Sequence, residues 1–226
     1  YHGSFKAYRD AKRKLFKQAN RNHGGRRIGV INADDPSAQY FADDIKNVVG
    51  YSLKKSDDPK IVWPRNLKLT PKGCSYNTEV NGQKLDIKCN LPGSFNTANS
   101  LAAVCVGASL DLKPSQIERG IAALQSVEGR MTRIDEGQDF DVIVDFAHTP
   151  DSFEKLFKDL RPVVKGRLIS LFGSAGRRDI SKRAIQGRLA GEVSDIVVVT
   201  EEDDRDVDGY QIMAQIAEGA REAGKV

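Results

Sequence analysis

Three short stretches of this 226-residue chain combine side chains that hold anions with backbone that can cradle them. They are His148-Thr149-Pro150-Asp151, Gly173-Ser174-Ala175-Gly176-Arg177-Arg178-Asp179 and Glu201-Glu202-Asp203-Asp204-Arg205. Each follows an apolar run and precedes a helical pattern. In an open parallel sheet that is where ligands bind, beyond the carboxyl ends of the strands. Arginine offers paired donors that match a carboxylate or a phosphate, so Arg178 and Arg205 are candidates for gripping a substrate carboxylate. The glycines of the second loop expose backbone N–H groups at a helix start, where an anion can sit. This loop is not a Walker A loop, because no G-x-x-x-x-G-K-[ST] occurs anywhere in the chain. Nor does it have the glycine spacing of a dinucleotide fingerprint. Solvated loops are polar in any case, but three of them on one sheet edge make that the weaker explanation.

Lys12 poses a different question. It lies seven residues after Phe5, four after Tyr8 and three before Leu15, which puts it on the apolar stripe of a helix. A packed stem with the ammonium reaching water would account for this. Burial, by contrast, would favour the neutral amine. A neutral amine can add carbon dioxide and become a carbamate, an oxygen ligand for Mg²⁺. His2 would be a neighbouring ligand.

The elements that must position these groups fall into two rhythms. An amphipathic helix covers Tyr1 to about Asn22, a strand covers Ile28 to Ile31, and Asp34-Asp35-Pro36 caps a helix running toward Ile45. Short alternating runs from about Val48 to Asn90 include Asn81-Gly82, the pair typical of a tight hairpin. A small-residue helix spans Asn96 to Gly107. Another spans Pro114 to Leu124, with Ser115 and Glu118 as its capping box. After Gly129-Arg130, strands at Asp141–Phe146, Arg167–Phe172 and Asp195–Thr200 alternate with helices at Asp151–Leu160, Ile180–Glu192 and Gly209–Ala223. That alternation predicts parallel βαβ units and a Rossmann-like sheet, with a domain boundary near Ser126 to Gly129.

Composition narrows the classes. Hydrophobic residues make up 39% and charged residues 29%, the balance of a folded soluble chain. No apolar run approaches the ~20 residues that span a bilayer, so membrane insertion is not expected. The net charge of +4 is spread along the chain, unlike the concentrated basic face of a nucleic-acid binder. Cys74, Cys89 and Cys105 follow no zinc spacing and read as reduced cytosolic thiols, so a cytoplasmic protein is expected.

Taken together, the motifs resemble the Mur ligases. Tyr1-His2-Gly3-Ser4-Phe5 with Tyr8 and Ala11-Lys12 is similar to the stretch that follows the family's P-loop. Ile31-Asn32-Ala33-Asp34-Asp35 follows in place, and Gly93-Ser94-Phe95-Asn96-Thr97-Ala98-Asn99 resembles its Asn-x-x-Asn segment. Val127-Glu128-Gly129-Arg130-Met131, Asp145-Phe146-Ala147-His148-Thr149-Pro150-Asp151 and Phe172-Gly173 to Arg183 look most like the UDP-N-acetylmuramoyl-tripeptide synthetase branch. The implied fold is α/β: residues 1–127 would be the second part of a central ATP-binding domain, and residues 128–226 a Rossmann-like ligase domain, incomplete at its end. The implied reaction uses ATP to phosphorylate the terminal carboxylate of UDP-MurNAc-L-Ala-D-Glu, and the amine of a third amino acid attacks the acyl phosphate.

By resemblance, Lys12 matches a carbamylated lysine and His2 a Mg²⁺ ligand. Asn99 matches an adenine contact, with Asn96 shaping that pocket. Arg130, Asp145 and His148 match residues around the ribose and phosphates of ATP, His148 and Lys12 being the catalytic candidates. Arg178 matches a contact to the incoming amino acid, and Asp203 and Arg205 lie in the loop that recognises its distal group. That loop reads Glu202-Asp203-Asp204-Arg205 where diaminopimelate-adding members carry Asp-Asn-Pro-Arg. Retention of the arginine favours meso-diaminopimelate over L-lysine. Arg177 stands where the family usually has aspartate. Without a P-loop, the chain alone is expected to be inactive; a monomer is expected. A folylpolyglutamate synthetase-like ligase, disfavoured by Thr149, and a non-catalytic binding partner of the same fold are the alternatives.

Overall fold

The computed structural model describes residues 3–70 and 72–224 and divides into two compact units, Tyr1–Met131 and Thr132–Val226.

Unit 1 begins with helix α1 (Phe5–Ala19), whose N-cap Ser4 accepts a hydrogen bond from the Ala7 N–H at 3.1 Å. The helix docks through Arg9, Arg13 and Phe16. Phe16 stacks on Phe41 at 5.2 Å, the two guanidinium carbons lie 4.0 and 4.1 Å from the Tyr40 ring centroid, and Arg13 forks onto Asp44. The Phe5–Tyr8–Leu15 stripe faces outward instead, with Phe5 71% and Leu15 69% exposed. Lys12 is exposed on that stripe, its ammonium 5.4 Å from the Tyr8 ring centroid. Of the two readings of Lys12, burial is therefore not what the described residues show. Arginine stems cover apolar surface while their heads stay polar, so a docking face that contains two of them does not register as apolar.

Strands β1 (Ile28–Asn32), β2 (Asn47–Tyr51) and β3 (Ile61–Val62) form a parallel sheet, with Ile28 opposite Asn47 and Gly50 opposite Ile61. The helix expected to reach Ile45 is only Ala38–Ala42 (α2), with Ser37 at its N-cap position but making no side-chain capping bond. Asp34 is not its cap. Its carboxylate accepts from Ser52 Oγ and the Leu53 N–H, both at 2.7 Å, and thereby ties down the chain leaving β2.

Strands β4 (Arg65–Thr70), β5 (Gly73–Val80) and β6 (Gln83–Cys89) make an antiparallel meander. Asn81 and Gly82 close the β5–β6 hairpin as expected, both at positive φ (52° and 73°). Inward-facing Tyr76, Ile87 and their neighbours meet α3 (Ser94–Ser109), whose Leu101, Val104 and Cys105 are fully buried. Helix α4 (Pro114–Ala123) is capped by Lys113 and Gln116, the Gln116 side chain accepting from the Lys113 N–H at 2.9 Å. The expected Ser115–Glu118 box is absent because Glu118 accepts from the Asp86 N–H of β6.

Unit 2 opens with a hairpin of β7 (Thr132–Ile134) and β8 (Val142–Val144) and continues with α5 (Pro150–Leu160) and a 3-10 turn, Arg161–Val163. Strand β9 (Ile169–Phe172), α6 (Lys182–Val193) and β10 (Ile196–Val199) form one βαβ unit, with β9 parallel to β10. Helix α7 (Gly209–Glu222) follows. The α/β class holds, but β8 departs from expectation. Among the described residues it pairs with β7 and not with β9. A short loop brings β7 beside β8 at little entropic cost, and a three-residue strand carries too little alternation to be read beforehand.

Phe153, Phe157 and Ala190 form the centre of unit 2, and the Phe153 ring meets Phe172 edge-on at 4.9 Å. Burial of each such phenyl side chain contributes about 1.5–3 kcal/mol.

Candidate functional site

The second and third loops lie at the carboxyl end of the β9–β10 pair, and the first, after β8, is joined to them through Lys182. The first, His148–Asp151, is shaped by the start of α5. Thr149 is the N-cap, its Oγ1 accepting from the Ser152 N–H at 3.3 Å, while Ser152 Oγ accepts from the N–H groups of Thr149 (2.9 Å) and His148 (3.1 Å). Pro150 then starts the helix with no N–H to leave unpaired. His148 is exposed, and its Nδ1 lies 3.0 Å from the Phe146 carbonyl. A carbonyl only accepts, so Nδ1 carries the proton and a neutral ring keeps Nε2 as an acceptor. Asp145 turns the chain just before it, Oδ1 accepting from the Ala147 N–H at 2.8 Å. Thr149→Ala is expected to cost about 1 kcal/mol of unfolding free energy, as lost N-caps do. Urea denaturation followed by circular dichroism measures it, and an unchanged midpoint would show that the cap carries no load.

The second loop, Gly173–Asp179, is pinned to the third, Glu201–Arg205, by the Gly176 N–H, which donates to the Asp203 carbonyl at 2.8 Å. A Cβ at Gly176 would lie 1.6 Å from the Asp204 carbonyl oxygen, so only glycine allows this approach. Arg177, unexplained by sequence, has a partner here: its Nη2 lies 3.1 Å from Asp206 in the segment after the third loop. Lys182 ties the first loop to this pair by donating to the His148 carbonyl at 3.0 Å. Asp179 accepts from the Ser181 Oγ and N–H, and that pairing lowers its carboxyl below the ordinary carboxylate range.

Arg178 is exposed on the second loop, without a hydrogen bond or ion pair to another described residue. Asp203 and Arg205 pair with each other through Nε at 2.7 Å, which leaves the Nη groups of Arg205 uncommitted among the described residues. Sequence reasoning missed Lys182 and Arg183. The Arg183 side chain is buried beneath the second loop, donating to Gln215 at 2.7 Å and to the Ala175 carbonyl at 3.4 Å. The signal was available: Arg183 shares a helical stripe with Gln186, Gly187 and Ala190, small or polar residues that all prove buried.

In unit 1, Asn96 is buried at the start of α3. Its Nδ2 donates to the Pro92 carbonyl at 2.7 Å, and its Oδ1 accepts from Asn99 Nδ2 at 3.1 Å. Asn99 is thereby oriented at the edge of a cavity of about 320 Å³ lined also by Leu91, Leu112, Ile121 and Leu124. Arg130 is exposed in the turn after Gly129, its N–H donating to the Val127 carbonyl at 2.9 Å. No hydrogen bond or ion pair among the described residues joins Lys12 to the asparagines. His2 lies outside the described residues. Among the described residues, no three His, Cys, Asp or Glu side chains gather to hold a metal ion.

These features define an α/β protein with its candidate site at the carboxyl ends of parallel strands. The chain belongs to the Mur ligase family: residues 1–107 match the Mur ligase middle domain and residues 129–226 the Mur ligase glutamate ligase domain. It is 39% identical over 237 residues to a UDP-N-acetylmuramyl-tripeptide synthetase of Roseiflexus sp. (strain RS-1), covering 100% of this chain and 45% of that protein. It is 34% identical over 224 residues to UDP-N-acetylmuramoyl-L-alanyl-D-glutamate--2,6-diaminopimelate ligase 1 of Clostridium acetobutylicum, covering 98% and 44%. A solved structure of a UDP-N-acetylmuramoyl-L-alanyl-D-glutamate--2,6-diaminopimelate ligase is similar with a TM-score of 0.61 at 27% identity, covering 97% of this chain and 45% of that one. The chain thus spans less than half the length of these relatives.

Proposed function

We propose that these residues are the nucleotide- and amino-acid-binding part of an ATP-dependent carboxylate–amine ligase that adds the third amino acid to UDP-MurNAc-L-Ala-D-Glu in peptidoglycan synthesis, with meso-diaminopimelate preferred over L-lysine. The convergence of the three strand-end loops in unit 2 supports this reading most directly, because it sets Arg178 and Arg205 beside one sheet edge. The chemistry requires an activated carboxylate. The terminal carboxylate takes the γ-phosphoryl group of ATP and ADP leaves. The amine then attacks the acyl carbon, phosphate leaves, and the amine loses a proton to a base. With Nδ1 donating to the Phe146 carbonyl, Nε2 of His148 is the ring nitrogen left to act as such a base or phosphate partner.

Asn99, held by Asn96, offers an amide to the adenine ring, and Arg130 and Asp145 are assigned to the ribose and phosphates. Arg178 takes the carboxylate next to the attacking amine. Arg205, held by Asp203 with its Nη fork uncommitted, suits a distal carboxylate and so favours the diamino diacid. Mg²⁺ belongs to this reading as the counter-ion of the nucleotide phosphates, with His2 and carbamylated Lys12 as candidate ligands. The reading places the enzyme in the cytoplasm as a monomer. No helix among the described residues is long and apolar enough to cross a membrane.

The test is ATP turnover that depends on UDP-MurNAc-L-Ala-D-Glu, in a protein extended upstream to include a P-loop, with meso-diaminopimelate against L-lysine. A kcat/KM at least about tenfold higher for meso-diaminopimelate is expected, a difference of about 1.4 kcal/mol. Equal values, or a lysine preference, would remove the assignment of Arg205. The 226 residues alone, having no Walker A sequence, are expected to release no ADP, and substrate-dependent release would overturn that.

A further inference from the structure

Cys74 of β5 and Cys89 of β6 are direct cross-strand partners. Both point inward, in the row that carries Tyr76 and Ile87, and are 5% and 6% exposed. Facing residues of an antiparallel pair have Cα atoms about 4.5–5.5 Å apart, within the span that a disulfide bridges. Both are free thiols. Of the two, Cys89 lines the cavity of about 320 Å³ beside α3 and α4, room for several water-sized molecules. The third cysteine, Cys105, is fully buried on α3, has Gly50 O as its sulfur partner at 4.0 Å, and has no cysteine opposite it.

We propose that Cys74 and Cys89 are an oxidisable dithiol, a modification site in unit 1 whose reagent is a small hydroperoxide entering by that cavity. The Cys89 sulfur attacks the outer peroxide oxygen and the O–O bond breaks. The proton lost from Cys89 leaves with the alkoxide as an alcohol, or as water from hydrogen peroxide, and Cys89 is a sulfenic acid. The Cys74 sulfur then attacks the Cys89 sulfur; its proton and the departing hydroxyl form water, and the S–S bond closes. The two sulfurs lose two electrons and the peroxide gains two.

The order of attack has a physical cause. The Cys74 thiol donates to Cys89, which lowers Cys89 below the ordinary thiol range and pushes Cys74 above it. The thiolate is the reactive form. Burial pushes Cys105 up to about 12, which keeps it inert. Oxidation also removes the contact from Cys89 Sγ to the Leu91 carbonyl, 3.9 Å long, in the loop that leads to Asn96.

The experiment treats the reduced 226-residue chain with hydrogen peroxide, denatures it, alkylates it and maps the peptides by mass. The expected product has lost two hydrogens, carries one alkylated cysteine at Cys105, and in a tryptic digest links the Gly73–Lys84 peptide to Cys89 of the Cys89–Arg119 peptide (the Lys113-Pro114 bond is not cut), with fragment ions separating Cys89 from Cys105. A reductant should restore three alkylated cysteines. In Cys74→Ser the bridge should vanish and dimedone should trap a sulfenic acid at Cys89. Three alkylated cysteines after peroxide, a bridge through Cys105, or oxidised Cys89 beside an alkylated Cys74 in the unaltered chain would each overturn the proposal.

Discussion

Gly176→Val is expected to lower the unfolding free energy of unit 2 by about 2–4 kcal/mol, the sum of an overpacked contact and a lost hydrogen bond. The valine Cβ would lie 1.6 Å from the Asp204 carbonyl oxygen and 2.6 Å from its carbon. Both are backbone atoms, so no side chain can swing aside. The second and third loops must separate, and the bond from the Gly176 N–H to the Asp203 carbonyl breaks. Hydrogen exchange of α6 and α7 measures the effect. Fluorescence of Trp63, the single tryptophan and a unit 1 residue, serves as an internal control. Gly166→Ala is the matched substitution: a Cβ there meets nothing within 4 Å, so it should be neutral or slightly stabilising. Equal protection in the two variants would mean that the loops are not pinned together. In the upstream-extended enzyme, Gly176→Val should also raise the KM for the incoming amino acid, because the same bond sets the spacing of Arg178 and Arg205.

Arg205→Ala in that extended enzyme should raise the KM for meso-diaminopimelate roughly 10- to 100-fold while leaving L-lysine nearly unchanged. A charged hydrogen-bonded contact is worth about 1.5–3 kcal/mol, which sets this range. The substitution adds no new backbone strain, since Arg205 already sits at φ 51° and alanine meets the same condition. It does release Asp203, whose carboxylate could then welcome an ammonium, so the preference for L-lysine should rise in relative terms. Arg205→Lys should not restore the parent KM, because a single ammonium cannot make the two parallel bonds of a guanidinium. A fall in kcat with KM unchanged for both amino acids would instead assign Arg205 to the phosphoryl transfer and end its role in selection.

Much of the candidate site's layout was legible from residue order alone. Apolar runs followed by polar, glycine-bearing loops and helical patterns located all three loops at strand ends, and Thr149-Pro150 marked the start of α5. Asn96 and Asn99 lie one helical turn apart, and the structure joins them as that spacing allows. These features depend on neighbours within a few residues, where period and turn chemistry act. Lys182 and Arg183 were missed because a basic pair at a helix start reads as solvated surface.

What the sequence by itself determined is the alternation of elements, the Asn81-Gly82 hairpin and the placement of candidate side chains on loops. The tertiary structure decided which face of α1 docks, turning Lys12 outward because Arg9 and Arg13 found Tyr40 and Asp44. It also gave β8 a partner in β7 and paired Arg177 with Asp206. Each of those outcomes turns on a partner distant in sequence or on a strand too short to announce itself. Periodicity records which residues can share a face, whereas the free energy of docking depends on what that face meets.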